Sequence, residues 1–299
     1  MNVVLFGSNN PTGAAFLNIG LNDSIEIWGR RPVRDSIGLY RHCDLSEIPS
    51  RSLMPMVGVL VSFAPIWLLA PFLFHLLKDQ PGTIKNLKGI IACSSSSFMT
   101  KRFAFNRYDK ELAQGLENAH HLITSICTEL TIPCQILAPT MVYGEVKGYS
   151  DKNLSKIVGI MRSFPFILLP KSNGLRQPIH ATQLARVAYK QSQRILTGSW
   201  SNNEPNVLIL GGDSILSYES MLTKIKSEIP KNDSAKRCII LTIPEKLFFI
   251  LIAVFLPVNP KLFESMMRIN SNLSNFTMAH QVLEEPPIQF PVHPLATKS

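Results

Sequence analysis

A chain of 299 residues can bury a large core, and 45% apolar, 8% aromatic and 17% charged residues exclude intrinsic disorder. Thirty Lys and Arg against twenty-one Asp and Glu leave a formal charge of +9, which favours anionic partners. The basic residues are scattered and no recognition motif accompanies them, so nucleic acid is not an expected partner. Five cysteines, without CxxC or Cys/His ligand spacing, point to reduced thiols rather than a disulfide scaffold or a metal centre.

In chain order, Met1 passes directly into a strand-like run over residues 2–6, with no basic n-region and no cleavable apolar segment, so a cytoplasmic protein is expected. Further strands are predicted over residues 24–28, 39–43, 57–62, 89–94 and 133–138, with crossover helices over 13–21, 66–77 and 109–129. This alternation predicts an α/β fold, a Rossmann-type doubly wound parallel sheet. Beyond residue 143 the elements become short and mixed, with a strand over 206–210 and a helix over 218–229. The division expected is a dinucleotide-binding core over 1–143 and a smaller C-terminal substrate lobe over 144–299, some of whose segments return to the core. The segment 53–77 lacks any Asp, Glu, Lys or Arg, but Pro55, Pro65 and Pro71 favour a buried strand and a packed helix over a membrane span. The apolar run 247–258 is too short to span and reads as a buried or interfacial helix, leaving peripheral membrane association open.

Gly7-Ser-Asn-Asn-Pro-Thr-Gly13 follows the first strand and opens the first helix. A dinucleotide pyrophosphate meets backbone N–H groups at such a position, with Gly7, Asn10, Thr12 and Gly13 as its contacts. Asn10 stands where a middle glycine is usual, as one of the few other residues that tolerate positive φ. The other reading is an ordinary strand-to-helix turn. The second strand ends in Trp28-Gly-Arg-Arg31 rather than in an acidic residue. Arg30 and Arg31 suit a 2′-phosphate, favouring NADP over NAD, or else they solvate a surface loop. Asp44 is placed either to meet an adenine edge or to cap the turn at Ser46.

With these pieces in order, the chain resembles the extended or atypical short-chain dehydrogenase/reductase superfamily, the NAD-dependent epimerase/dehydratase proteins. It is most similar to the branch that includes NADPH-binding accessory subunits of respiratory complex I and bacterial sugar-nucleotide epimerase homologues. The carriers are the glycine loop, Asp44, Ser94-Ser-Ser-Ser97, Ala138-Pro-Thr-Met-Val-Tyr-Gly144, Leu175-Arg-Gln-Pro-Ile-His180 and Asn206-Val-Leu-Ile-Leu-Gly-Gly212. The resemblance implies hydride transfer on a nucleotide sugar. It brings Pro139 close to the nicotinamide, and it places Arg176 and His180 on the substrate side. For His180 a structural hydrogen-bonded role is the alternative. Ser95 or Ser96 would hold a substrate hydroxyl, or the serine run satisfies loose backbone groups. The superfamily's chemistry uses a Tyr and a Lys four residues on, and here Leu112 and Leu116 occupy those positions. Tyr108, Lys110 and Tyr143 are the remaining proton carriers, although Tyr108 and Lys110 are two apart and diverge by roughly 200° on a helix. A protein that binds the dinucleotide without turnover, as a structural or redox-sensing ligand, is the competing function.

Overall fold

The computed structural model describes residues 2–21, 23–33, 39–48, 53–201 and 203–293. Eight strands form one central sheet: β1 (Asn2–Phe6), β2 (Ser24–Gly29), β3 (Leu39–His42), β4 (Gly58–Ser62), β5 (Leu87–Cys93), β6 (Cys134–Pro139), β7 (Val207–Gly211) and β8 (Thr277–Met278). Their spatial order is β3-β2-β1-β4-β5-β6-β7-β8, and every adjacent pair is parallel. Parallel strands need crossovers, and these cover both faces, which is why the central strands are apolar on both sides. Val4 and Phe6 of β1 point into one layer with α2 (Ile66–Asp79) and α3 (Arg107–Leu130). Val3 and Leu5 point into the opposite layer with α1 (Pro11–Ile19) and α4 (Ala181–Leu196). The charge-free 53–77 segment is accordingly β4 and most of α2 at the centre of the molecule, and among the described residues no helix is long and apolar enough to cross a membrane.

The second half of the chain is divided between two places. Helix α4 and strands β7 and β8 extend the sheet and its helical layer. The remainder builds a separate apolar cluster around Tyr143, Leu154, Val158, Met161, Met221 and Phe290, seated beside the carboxyl ends of β6 and β7. Two short helices, α5 (Glu245–Ala253) and α6 (Pro260–Met267), complete this half. The 247–258 run, expected as a buried or interfacial helix, begins within α5, of which only Phe248 and Ile252 are buried.

One buried position works against stability. Gln135, in the middle of β6, is fully buried, and neither its Oε1 nor its Nε2 has a hydrogen-bond partner. A buried amide left unpaired costs about 1–3 kcal/mol, whereas an apolar isostere there would join the layer that holds its neighbour Leu137. Gln135→Leu is therefore expected to raise the unfolding free energy by about 1–2 kcal/mol in urea denaturation, and an unchanged or lowered midpoint would contradict this.

Candidate functional site

The strand order reverses direction between β1 and β4, and in open α/β sheets ligands bind in the crevice at that point. Gly7, the first residue after β1, has φ +75°, and a Cβ on it would lie 2.3 Å from the Ala64 nitrogen just past β4. A Cβ on Gly13 would lie 2.3 Å from the Gly7 carbonyl oxygen. Both glycines are therefore required by close backbone approach. Asn10 departs from the expectation attached to it. Its φ is −148°, extended rather than positive, and it is the N-cap of α1. Its Oδ1 accepts from the Gly13 N–H at 2.9 Å, while its Nδ2 donates to the carbonyls of Gly7 at 2.7 Å and Phe63 at 3.2 Å. Pro11 at the first helical position has no N–H, Gly13 serves the cap, and Ala14 donates to the Asn10 carbonyl. That leaves Thr12 as the first-turn amide able to meet an anion.

Beside this loop lies a cavity of about 520 Å³. Gly7, Asn10, Arg30, Arg31 and Asp44 all line it, together with Trp28 and the β4 exit Phe63-Ala64-Pro65, which sequence reasoning did not single out. Arg30 and Arg31 are exposed at its rim, just past β2. Asp44 accepts from both the backbone N–H of Ser46 at 3.0 Å and its hydroxyl at 2.6 Å, and these hydrogen bonds hold its carboxyl below the ordinary aspartate value. It thus caps the turn and faces the cavity at once. Asn9 ties the loop across the opening, donating to the Arg31 carbonyl at 3.0 Å and accepting from the Tyr149 hydroxyl at 2.9 Å.

At the ends of β5 and β6 the serine run meets Pro139. The Ser96 amide donates to the Pro139 carbonyl at 2.9 Å, and the Ser95 hydroxyl donates to Ser97 Oγ at 3.0 Å. Ser94, which the sequence did not separate from its neighbours, has its Oγ 2.6 Å from Nε2 of His120 on α3. His120 is buried, its ring edge-on to Phe98, and burial pushes its pKa down. A histidine on an apolar helix face carries no sequence mark of its partner, so only the packing of α3 on β5 reveals this pair.

The other proton carriers lie elsewhere. Tyr108 is 70% exposed under the Lys261 ammonium, 5.4 Å from its ring centroid, and Lys110 is exposed on the same end of α3. Tyr143 is buried between His180 and Phe290, and its hydroxyl accepts from the Val292 N–H at 2.9 Å; burial pushes the phenol up. His180 is wholly buried and caps α4, with Nδ1 2.7 Å from the Thr182 hydroxyl. Arg176 is buried over the Tyr218 ring and donates to the carbonyls of Leu175, Ser271 and Arg268. Of the residues expected on the substrate side, Ser96 lies at the ends of β5 and β6, while Arg176 and His180 are buried.

Neither a protein-family model nor a curated protein matches the sequence. Solved structures match the fold over nearly its whole length. MoeE5, in complex with UDP-glucose and NAD, gives a TM-score of 0.62 at 13% identity, covering 97% of this chain and 95% of its own. UDP-glucuronic acid 4-epimerase from Bacillus cereus, in complex with NAD, gives 0.62 at 12% identity, covering 96% and 94%. TunA, an NAD-dependent NDP-hexosamine 5,6-dehydratase involved in tunicamycin biosynthesis, gives 0.60 at 11% identity, covering 97% and 94%. This chain shares the fold of these proteins, and its own sheet is eight-stranded, parallel and of Rossmann type.

The Asn10 cap has a measurable consequence. Asn10→Ala removes one accepted and two donated hydrogen bonds and is expected to cost about 1–2 kcal/mol of stability, read from the chemical-denaturation midpoint. Stability within error of the parent would show that the loop does not depend on this carboxamide.

Proposed function

We propose that the chain binds a nicotinamide dinucleotide at the carboxyl ends of β1 and β4, NADP in preference to NAD. We propose further that it acts on a nucleotide sugar as an epimerase, dehydratase or reductase of the short-chain dehydrogenase/reductase type. The observation that carries this reading is the glycine loop, in which Gly7 and Gly13 admit no side chain and the cavity beside them is of nucleotide size. The fold neighbours add support, since structures of MoeE5 and of the Bacillus cereus epimerase contain NAD. Thr12 would meet the pyrophosphate, Arg30 and Arg31 the 2′-phosphate, and Asp44 the adenosine edge. The dinucleotide, when bound, takes up and returns a hydride. Ser95, Ser96 and Pro139 border the place where a sugar would sit.

Proton transfer then falls to the pair that the packing creates. A substrate hydroxyl gives its proton to Ser94 Oγ as the Ser94 proton passes to His120 Nε2, so charge ends on the imidazole and the substrate oxygen is free to form a carbonyl. His120 must be neutral to accept. Burial foremost, then the neighbouring His121, lowers its pKa below the ordinary 6.5, against a smaller opposing pull from Glu117, so the accepting form is present at neutral pH. Tyr108 and Lys110, on the outer surface, take no part in this step.

Trp28 lines the cavity and reports binding by energy transfer to a reduced cofactor. NADPH is expected to bind more tightly than NADH, and Arg30→Ala combined with Arg31→Ala to weaken NADPH about tenfold, or about 1.4 kcal/mol, with little change for NADH. Failure of both cofactors to bind saturably would overturn the reading. Across a panel of nucleotide sugars, His120→Gln and Ser94→Ala are expected to lower turnover by about 10²–10⁴-fold while leaving NADPH affinity intact. Turnover should hold at neutral pH and fall on acidification through a value below 6.5, as His120 takes up its proton. Parent-like turnover in His120→Gln would assign the proton transfer to another group.

A further inference from the structure

We propose that α5 and the turn that follows it form a docking surface for an anionic lipid bilayer. On α5 the residues Leu247, Ile250, Leu251 and Val254 recur at i, i+3, i+4 and i+7, a single helical stripe, and their exposures are 46%, 67%, 45% and 64%. Phe248 and Ile252 on the adjoining stripe are the ones that bury against the body. The apolar stripe of an ordinary surface helix faces the core; here a second one faces water. Leu256 and Val258 in the turn continue it at 51% and 82% exposure. A continuous run of this kind marks an interaction surface, whereas scattered exposed apolar residues do not.

Charge selects the occupant. The two acidic residues of this region are engaged inward: Glu245 accepts from the Asn270 amide, and Glu264 accepts from the Asn106 backbone at 2.5 Å and pairs with Arg268. The exposed charges that remain on α5 and α6 are Lys246 and Lys261, both positive, on a chain of +9. An apolar stripe flanked by lysines is the composition of a helix that lies in the interface of an anionic membrane. The surface also continues toward the crevice. Helix α6 is tied to the start of α3 by Arg268 on Asp109 at 2.9 Å, and the loop between the serine run and α3 exposes Phe103 and Phe105 at 84% and 97%. The cation of Arg102 stands over the Phe103 ring. The docked face therefore borders the substrate side of the crevice and not the far edge of the sheet.

Sedimentation of the purified full chain with vesicles tests this directly. Vesicles of mixed phosphatidylglycerol and phosphatidylcholine are expected to carry the protein down, phosphatidylcholine vesicles much less so, and added salt is expected to weaken the binding. Ile250→Asp with Leu251→Asp should reduce partition into the anionic vesicles by about tenfold or more. Both side chains point to solvent, so the thermal midpoint should stay within a few degrees of the parent. Lys246→Glu with Lys261→Glu should remove the preference for anionic over neutral vesicles. No sedimentation with anionic vesicles, or equal partition into both kinds, would overturn the proposal. So would a dimer in light scattering that the aspartate variant dissolves, since the stripe would then be covered by a second copy. The vesicle readout needs no cofactor, so its failure and a failure of the dinucleotide reading are told apart by the Trp28 titration.

Discussion

The carboxyl edge of the sheet depends on a backbone contact that leaves no room for a side chain. Gly7 lies against the Phe63–Ala64 peptide, so β1 and β4 are joined at the point where their crossovers depart to opposite faces. The Asn10 carboxamide secures that contact from above, because one amide group reaches the loop, the β4 exit and the first turn of α1 together. With both strand ends fixed, the crevice between them has a floor of backbone and walls set by whatever follows β2 and β3. Arg30 and Arg31 after β2 and Asp44 after β3 come to line one cavity for that reason.

A second constraint fixes the lobe on the sheet. The segment Leu175 to His180 supplies three buried polar side chains, and two of them, Arg176 and Gln177, close hydrogen bonds to elements far along the chain. Gln177 donates to the carbonyls of Gly212 and Phe276 and accepts from the Phe276 N–H, while Arg176 donates to the carbonyls of Arg268 and Ser271. Asp213, with 1% of its side chain exposed, accepts from Gln183, the His280 amide and the Ile288 amide. Buried polar groups of this kind are costly unless every one is paired, and here they are paired across the junction between the lobe and the outer strands. Through Arg176 and Gln177 the Arg-Gln-Pro-Ile-His stretch acts in this structure as a staple.

The sheet was legible in the sequence because its strands are short apolar runs bounded by turn residues, and because 53–77 has the proline pattern of a strand followed by a packed helix. The glycine loop was legible as a location but not as a conformation: the spacing of Gly7 and Gly13 survives in the structure, while Asn10 serves as a cap with extended φ. What composition cannot reveal is orientation. Tyr143 and His180 look like available functional groups in the sequence and prove to be buried and packed edge to face against each other. The 247–258 run has the composition of a core helix, and its outward stripe becomes visible only once Phe248 and Ile252 are seen to be the face that packs.

Orientation also shows which ionisable group of α3 meets the serine run. Residues 112, 116 and 120 recur every four positions, each displaced by about 40° around the helix, so they form one stripe. Leu116 is buried in the layer beneath the sheet and Leu112 packs at its margin, so neither position carries a proton and both hold α3 in place. His120 is the next residue on the same stripe, one turn further along, and it meets Ser94 immediately after β5. The stripe presents its ionisable group where α3 crosses the end of β5. On the reading proposed above, the proton acceptor is then an imidazole about two turns beyond position 112 on the same helix face. That imidazole is buried because its ring packs edge-on against Phe98, just past the serine run.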